Sequence, residues 1–348
     1  MFASTSHSET AKLGALTKAS WWRRFRSGKA TYVGIDIGVD SVDLSVFGRD
    51  AAHNGSLGWQ SQTGFTLPVD PTSPPKPNWV DVVVDALDES LPRCVDAGEI
   101  VTYVSLPAPW IHYQTTTEAE LALSKQQCDA MFSGSKFACP SHISSWPIVV
   151  GKEHRMVAAT ADSAACRVTE VIMDLGYQVQ CILPQGVALL GAARELTTLS
   201  PSAMLLLEYS GALIAMPNEA GCGLCRNIRG FDKPMSHTPS LAEIEPWLEE
   251  IAEELLASSR YVSRLGGRLD DRSPVMVCGS IATIQGVDSA LASMLNRPVA
   301  TWRYAGRQRP ERQHSVGTNM RGDAAHAVSL SLACGAIESS SESGGGAR

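Results

Sequence analysis

The sequence predicts an α/β fold made of two like halves, with a small α/β module inserted in the first. Three observations predict it. Residues 32–37 and 42–47 are β-rich runs joined by Gly38-Val39-Asp40-Ser41, a hairpin signal. Residues 203–209 and 212–216 repeat that design about a tight Ser210-Gly211 turn, which reads as an internal duplication. Between the two hairpins, residues 99–184 follow the order strand, helix, two strands, helix, strand, which is the order of a compact module.

The elements follow in turn. "TSPPKPN" (72–78) is a loop, and 79–91 carries Val80, Val83, Val84, Leu87 and Leu91 at helical spacing after a cap at Asn78. "EIVTYVSLP" (99–107) is a strand closed by Pro107. A helix is expected over 117–131, with Thr117 and Glu120 forming a capping box. Strands at 143–150 and 155–161 flank the turn Gly151-Lys152-Glu153-His154. A helix then runs to Leu175, a strand over 177–183 and a helix over 185–196. The longest helix is 240–265, acidic at its start (Glu243, Glu245, Glu249, Glu250) and basic at its end (Arg260, Arg264), as the helix dipole favours. Its acidic run reads as a solvated face. Strand 274–280, helix 287–296 and strand 298–302 complete the second half.

Composition bounds the function. The chain has 348 residues, is 44% hydrophobic and carries a formal charge of −7, so it has core enough for more than one domain and no basic field for nucleic acid. No run of eighteen apolar residues occurs, and the N-terminus lacks the order of a signal peptide, so a cytoplasmic protein is expected. Nine cysteines scattered through hydrophobic segments fit a reducing compartment. Cys222-Gly223-Leu224-Cys225 has the form of a redox pair or half a metal site, but no second CxxC or HxxxH follows. The eight histidines, His112, His142, His237 and His326 among them, stand singly, and none is assigned a catalytic or metal role.

Residues 1–30 read as a disordered arm, within which Trp21-Trp22-Arg23-Arg24-Phe25-Arg26 mixes aromatic and cationic side chains as a membrane-surface segment, a partner-binding segment or a tether packed on the domain would. The Ser/Gly-rich 338–348 reads as a disordered tail. The expected organisation is a first half opening at 31–98, an inserted module at 99–184, the rest of the first half at 185–202 and 311–337, and a second half at 203–310.

Six segments in the same order carry a resemblance to a known family. These are "GIDIGVDSVD" (34–43), "LGYQVQCILPQGVALLGA" (175–192), "CRNIRGFD" (225–232), "IAEELLASSRYV" (251–262), "VMVCGSIATIQGVDSALASML" (275–295) and "HAVSLSLACGAI" (326–337). Together they resemble the PilM family of type IV pilus assembly proteins, over nearly all of 31–337. The resemblance implies an actin-like (ribonuclease H-like) duplicated fold, with a subdomain of the 1C or SHS2 type at 99–184. It implies an ATP and Mg2+ site built on Asp36, Gly38, Glu208, Gly211, Gly279 and Gly286, with no catalytic residue assigned. It further implies a scaffold role in which the chain binds the cytoplasmic N-terminal tail of a PilN-like inner-membrane protein, alongside other pilus assembly proteins, and is peripheral at that membrane through the partner or residues 21–26.

The ATP motifs depart from the family at each turn. In the first, Val39 replaces a hydroxyl and Asp43 stands where the family has Lys. The second, Glu208-Tyr209-Ser210-Gly211-Ala212-Leu213, is shortened and nearly bare of hydroxyls, and in the third the branched Ile281 interrupts a Gly run that would admit adenine and ribose. A scaffold with weakened or lost ATP binding is therefore expected. Asp36 and Glu208 keep two readings, as hydrogen-bond acceptors for their own turns or as a residual Mg-nucleotide site. Two alternatives stand beside the adaptor: an active actin-like ATPase or kinase, and an FtsA-like filament protein, whose membrane helix would sit at the C-terminus where this chain is Ser/Gly-rich.

Overall fold

A computed structural model describes residues 31–39, 41–50, 56–67, 79–91, 93, 100–121, 142–197, 199–230, 239–268, 270, 272–305 and 322–343. The expected arm, its Trp/Arg segment at 21–26, the 72–78 loop, most of the 117–131 helix and residues 344–348 lie outside this set.

The first half opens with β1 (Thr31–Ile37), β2 (Ser41–Asp50) and β3 (Ser56–Thr66), followed by α1 (Trp79–Ser90) and β4 (Ile100–Ser105). Then come β5 (Ile111–Thr117), α2 (Glu118–Leu121), β6 (His142–Pro147) and β7 (His154–Thr160). The chain continues through α3 (Asp162–Asp174), β8 (Gln178–Ile182), α4 (Gln185–Gly191) and α5 (Ala193–Leu196). The second half holds β9 (Ala203–Glu208), β10 (Gly211–Asn218), β11 (Gly221–Arg229), α6 (Leu241–Arg264), β12 (Val275–Cys278), α7 (Val287–Leu295) and β13 (Val299–Thr301). Two last helices are α8 (Gly322–Ala325) and α9 (Ala327–Ser343).

Sheet pairing makes the duplication explicit. The first sheet runs β3-β2-β1-β4-β8 and the second β11-β10-β9-β12-β13. In both, the first three strands are an antiparallel meander and the last two join in parallel. The order that predicts a duplication from two hairpins thus extends to all ten strands.

The inserted module is smaller than the sequence suggests. Strands β4 and β8 belong to the first half's sheet and α3 packs on α1, so the expected 99–184 unit is corrected to the part between β4 and α3. What is inserted is a separate antiparallel sheet, β5-β7-β6, with α2 after its first strand. The physical reason is burial. "IVTYVS" is buried along nearly its whole length, as a central parallel strand must be and a strand of a small two-sided module need not. The Thr117 capping box is formed, Glu120 accepting from Thr117 N at 2.8 Å while Thr117 Oγ1 accepts from Glu120 N at 3.4 Å.

Two helices cross between the halves. α9 packs on β1, β2 and β4, whereas α4, which the sequence assigns with the first half, packs on β9, β10 and β11 of the second and against α9. The result is five layers: α1 and α3, the first sheet, α4 with α9, the second sheet, then α6 and α7. α9 continues to Ser343, past the expected start of a disordered tail at 338.

Candidate functional site at the cleft between the halves

Strand alternation decides which side chains reach the cleft. On β1, Val33, Ile35 and Ile37 enter the first half's outer core, so Tyr32, Gly34 and Asp36 face the middle layer. On β9, Ala203, Leu205 and Leu207 enter the second half's core, which turns Met204, Leu206 and Glu208 inward. Both carboxylates therefore arrive at one cleft from opposite sheets. It is lined by Asp36, Gly38, Ser41, Asp43, Gln185, Glu208, Ser210 and Gly211, with the apolar Val39, Leu206 and Leu213.

Each carboxylate is held by the fold. Asp36 Oδ1 accepts from Ser105 Oγ, its register partner on β4, and from Gln185 Nε2 at 2.9 Å, at the start of α4. Burial drives the Asp36 carboxyl up from 3.8 to about 6, against the two hydrogen bonds, which favour its ionised form. Glu208 accepts from Ser280 through both oxygens, from the backbone N–H at 3.1 Å and from Oγ. Gly279 makes that turn possible, since its φ of +94° and the 2.6 Å between a Cβ there and Glu208 Oε1 leave no room for a side chain. Both carboxylates accept hydrogen bonds from residues far away in sequence.

The sites singled out from the sequence separate. Asp36, Gly38, Glu208 and Gly211 line one cleft, and Gly279 lies behind Glu208. Gly286 does not line it. It is the left-handed residue before α7, with a Cβ position 3.1 Å from Leu241. Gly211, at φ +149°, is pressed on the end of β11, where a Cβ would come within 2.5 Å of Ile228 O.

Four residues to which the sequence assigns no role complete the arrangement: Ser105, Gln185, Ser280 and His326. His326, between α8 and α9, places Nδ1 2.9 Å from Asp43 Oδ1, so that carboxylate faces an imidazole. No local motif points to these residues, because each acts on a group far away in sequence.

Among the described residues, those that line the cleft do not fit Mg-ATP. One Asp36 oxygen and both Glu208 oxygens are engaged within the protein, the second turn is two residues long, and the space between the walls is about 30 Å3, which suits a water or two. Among the described residues no group of three His, Cys, Asp or Glu could hold a metal ion, and no helix is long and apolar enough to cross a membrane.

No family model and no curated protein matches the chain. Solved structures do. The chain is similar to the PilM-PilN type IV pilus biogenesis complex at a TM-score of 0.64 and 14% identity, over 88% of this chain and 98% of that one. A Bacteroides thetaiotaomicron protein with actin-like ATPase fold aligns at 0.47 and 9% identity, over 80% and 92%. The cytoplasmic domain of EpsL, an inner membrane component of the type II secretion system of Vibrio cholerae, aligns at 0.41 and 9%, over 89% and 95%. The chain has the actin-like fold, in its duplicated form with an inserted sheet.

Proposed function

We propose that this chain is a PilM-type adaptor of type IV pilus assembly or a closely related secretion system, cytoplasmic and held at the inner membrane by its partner. The observation that carries the reading is the match to the PilM-PilN complex across 98% of that chain. The partner would be the short cytoplasmic tail of a PilN-like protein, laid as an extended peptide between the first half and the β5-β7-β6 sheet and anchored by a few apolar side chains. In this reading the nucleotide site is a relic, and its carboxylates now fasten strands and helices to one another.

A working actin-like ATPase is the competing reading, favoured by the presence of Asp36 and Glu208 in one cleft. Calorimetric titration of the full chain with the partner's cytoplasmic N-terminal peptide, with and without Mg-ATP, tests the choice. The adaptor reading expects a dissociation constant on the order of micromolar that ATP leaves unchanged. Absence of peptide binding, with heat from Mg-ATP alone, would put the ATPase first.

A further inference from the structure

The sequence Cys222-Gly223-Leu224-Cys225 lies on β11, where residues three apart should point to opposite faces. They do not. The pairing of β10 with β11 slips between Met216↔Leu224 and Pro217↔Cys222, leaving Gly223 as an extra residue with no opposite number. That bulge resets the alternation, so Cys222 and Cys225 share a face and their sulfurs stand 3.4 Å apart.

The bulge is built in. A Cβ on Gly223 would lie 2.7 Å from Ile148 O, and Gly223 O accepts from Trp146 Nε1 of β6 at 2.8 Å, so the inserted sheet clamps the distortion. On the other side Cys225 is buried under α4. A Cβ at Gly186 would come within 2.7 Å of Cys225 Sγ, and the residue before it is Gln185, which holds Asp36.

We propose that Cys222 and Cys225 are a reversible dithiol–disulfide site at the junction of the inserted sheet, β11 and α4, and that its redox state is felt at the first turn of α4. The partner reagent is a low-molecular-weight disulfide. Cys222, the more exposed of the two, attacks one of its sulfurs as the thiolate and releases one small thiol. Cys225 then attacks Cys222 Sγ and releases the second. The two protein thiols lose two electrons and two protons, the small disulfide becomes two thiols, and the sulfurs close by roughly 1.4 Å to bonding distance. Hydrogen bonding to Cys222 and burial hold the Cys225 thiol well above its ordinary range, which keeps it protonated during the first attack; it loses its proton in the second.

The test equilibrates the full wild-type chain in buffers of reduced and oxidised glutathione, alkylates free thiols, and reads the peptide spanning 222–225 by mass spectrometry. The expected result is a peptide lighter by two hydrogens and carrying no alkyl group, appearing as the buffer becomes oxidising and reverting with dithiothreitol. Hydrogen exchange of residues 185–191 should change between the two forms while that of α7 does not. Doubly alkylated peptide in every buffer, or Cys222 bonded only to glutathione or to another cysteine, would overturn the site. A disulfide that leaves exchange at 185–191 unchanged would overturn its link to the cleft. The measurement uses wild-type protein, so it does not depend on a cysteine variant folding, and it is independent of the adaptor role.

Discussion

Ser105 Oγ donates to Asp36 Oδ1 across two strands in which the two residues are direct register partners. The aspartate of the "GIDIGVDSVD" segment therefore ties β1 to β4 and, through Gln185, the first sheet to the helix lying on the second.

That arrangement has a pH consequence. Asp36 titrates near 6 in the folded chain against its ordinary 3.8, so between those values the folded state keeps a proton that the unfolded chain has released. Stability then falls as pH rises through this window and levels off above it, by about 2 kcal/mol once the partial exposure of the carboxylate is allowed for. Asp36→Asn should remove this component. Denaturant melts of both proteins from pH 4 to 8 measure it as a difference that grows to a plateau above pH 6, the variant being the more stable there.

Glu208 should behave as a structural acceptor. Glu208→Gln retains an oxygen for Ser280 and is expected to cost about 1 kcal/mol, whereas Glu208→Ala strands the Ser280 donors and should cost about 2 kcal/mol. Urea unfolding reads both. A Glu208→Gln loss equal to that of Glu208→Ala would show that charge, rather than acceptance, is what the fold uses.

Gly34, in the same GIDIG stretch, has a role in packing. A Cβ there would run into Ser329 O and lie 2.6 Å from Ala333 N, both on α9, beside a buried Ser45–Ser329 hydroxyl contact of 2.8 Å. Gly34→Ala is expected to push α9 off the sheet and cost roughly 3 kcal/mol. Thermal unfolding measures the loss, and Ser45→Ala, which removes a contact without adding bulk, should cost about 1 kcal/mol.

Much of the fold is legible in the sequence because it is written locally. The two hairpins, the periodic α1 and α6 and the strand "VMVC" all carry their own pattern and turn chemistry. β3, "SLGWQSQTGFT", escapes sequence reading because the alternation of Leu57, Trp59 and Phe65 is diluted by Gln, Ser, Thr and Gly, and β5, "IHYQTTT", because only Ile111 and Tyr113 alternate before a run of Thr. The extent of the insertion is misjudged from sequence because the order of strands does not say which sheet each joins. Asp36 and Glu208 can be named from their strands, but not Ser105, Gln185 or Ser280, since only long-range pairing brings them in.

The function proposed above makes the cleft a structural junction that does not take nucleotide. Isothermal titration of the full wild-type chain with Mg-ATP, taken to millimolar nucleotide, tests that claim most directly. The predicted result is no heat beyond dilution. Saturable binding that Asp36→Ala or Glu208→Ala abolishes, in variants that remain folded, would contradict it.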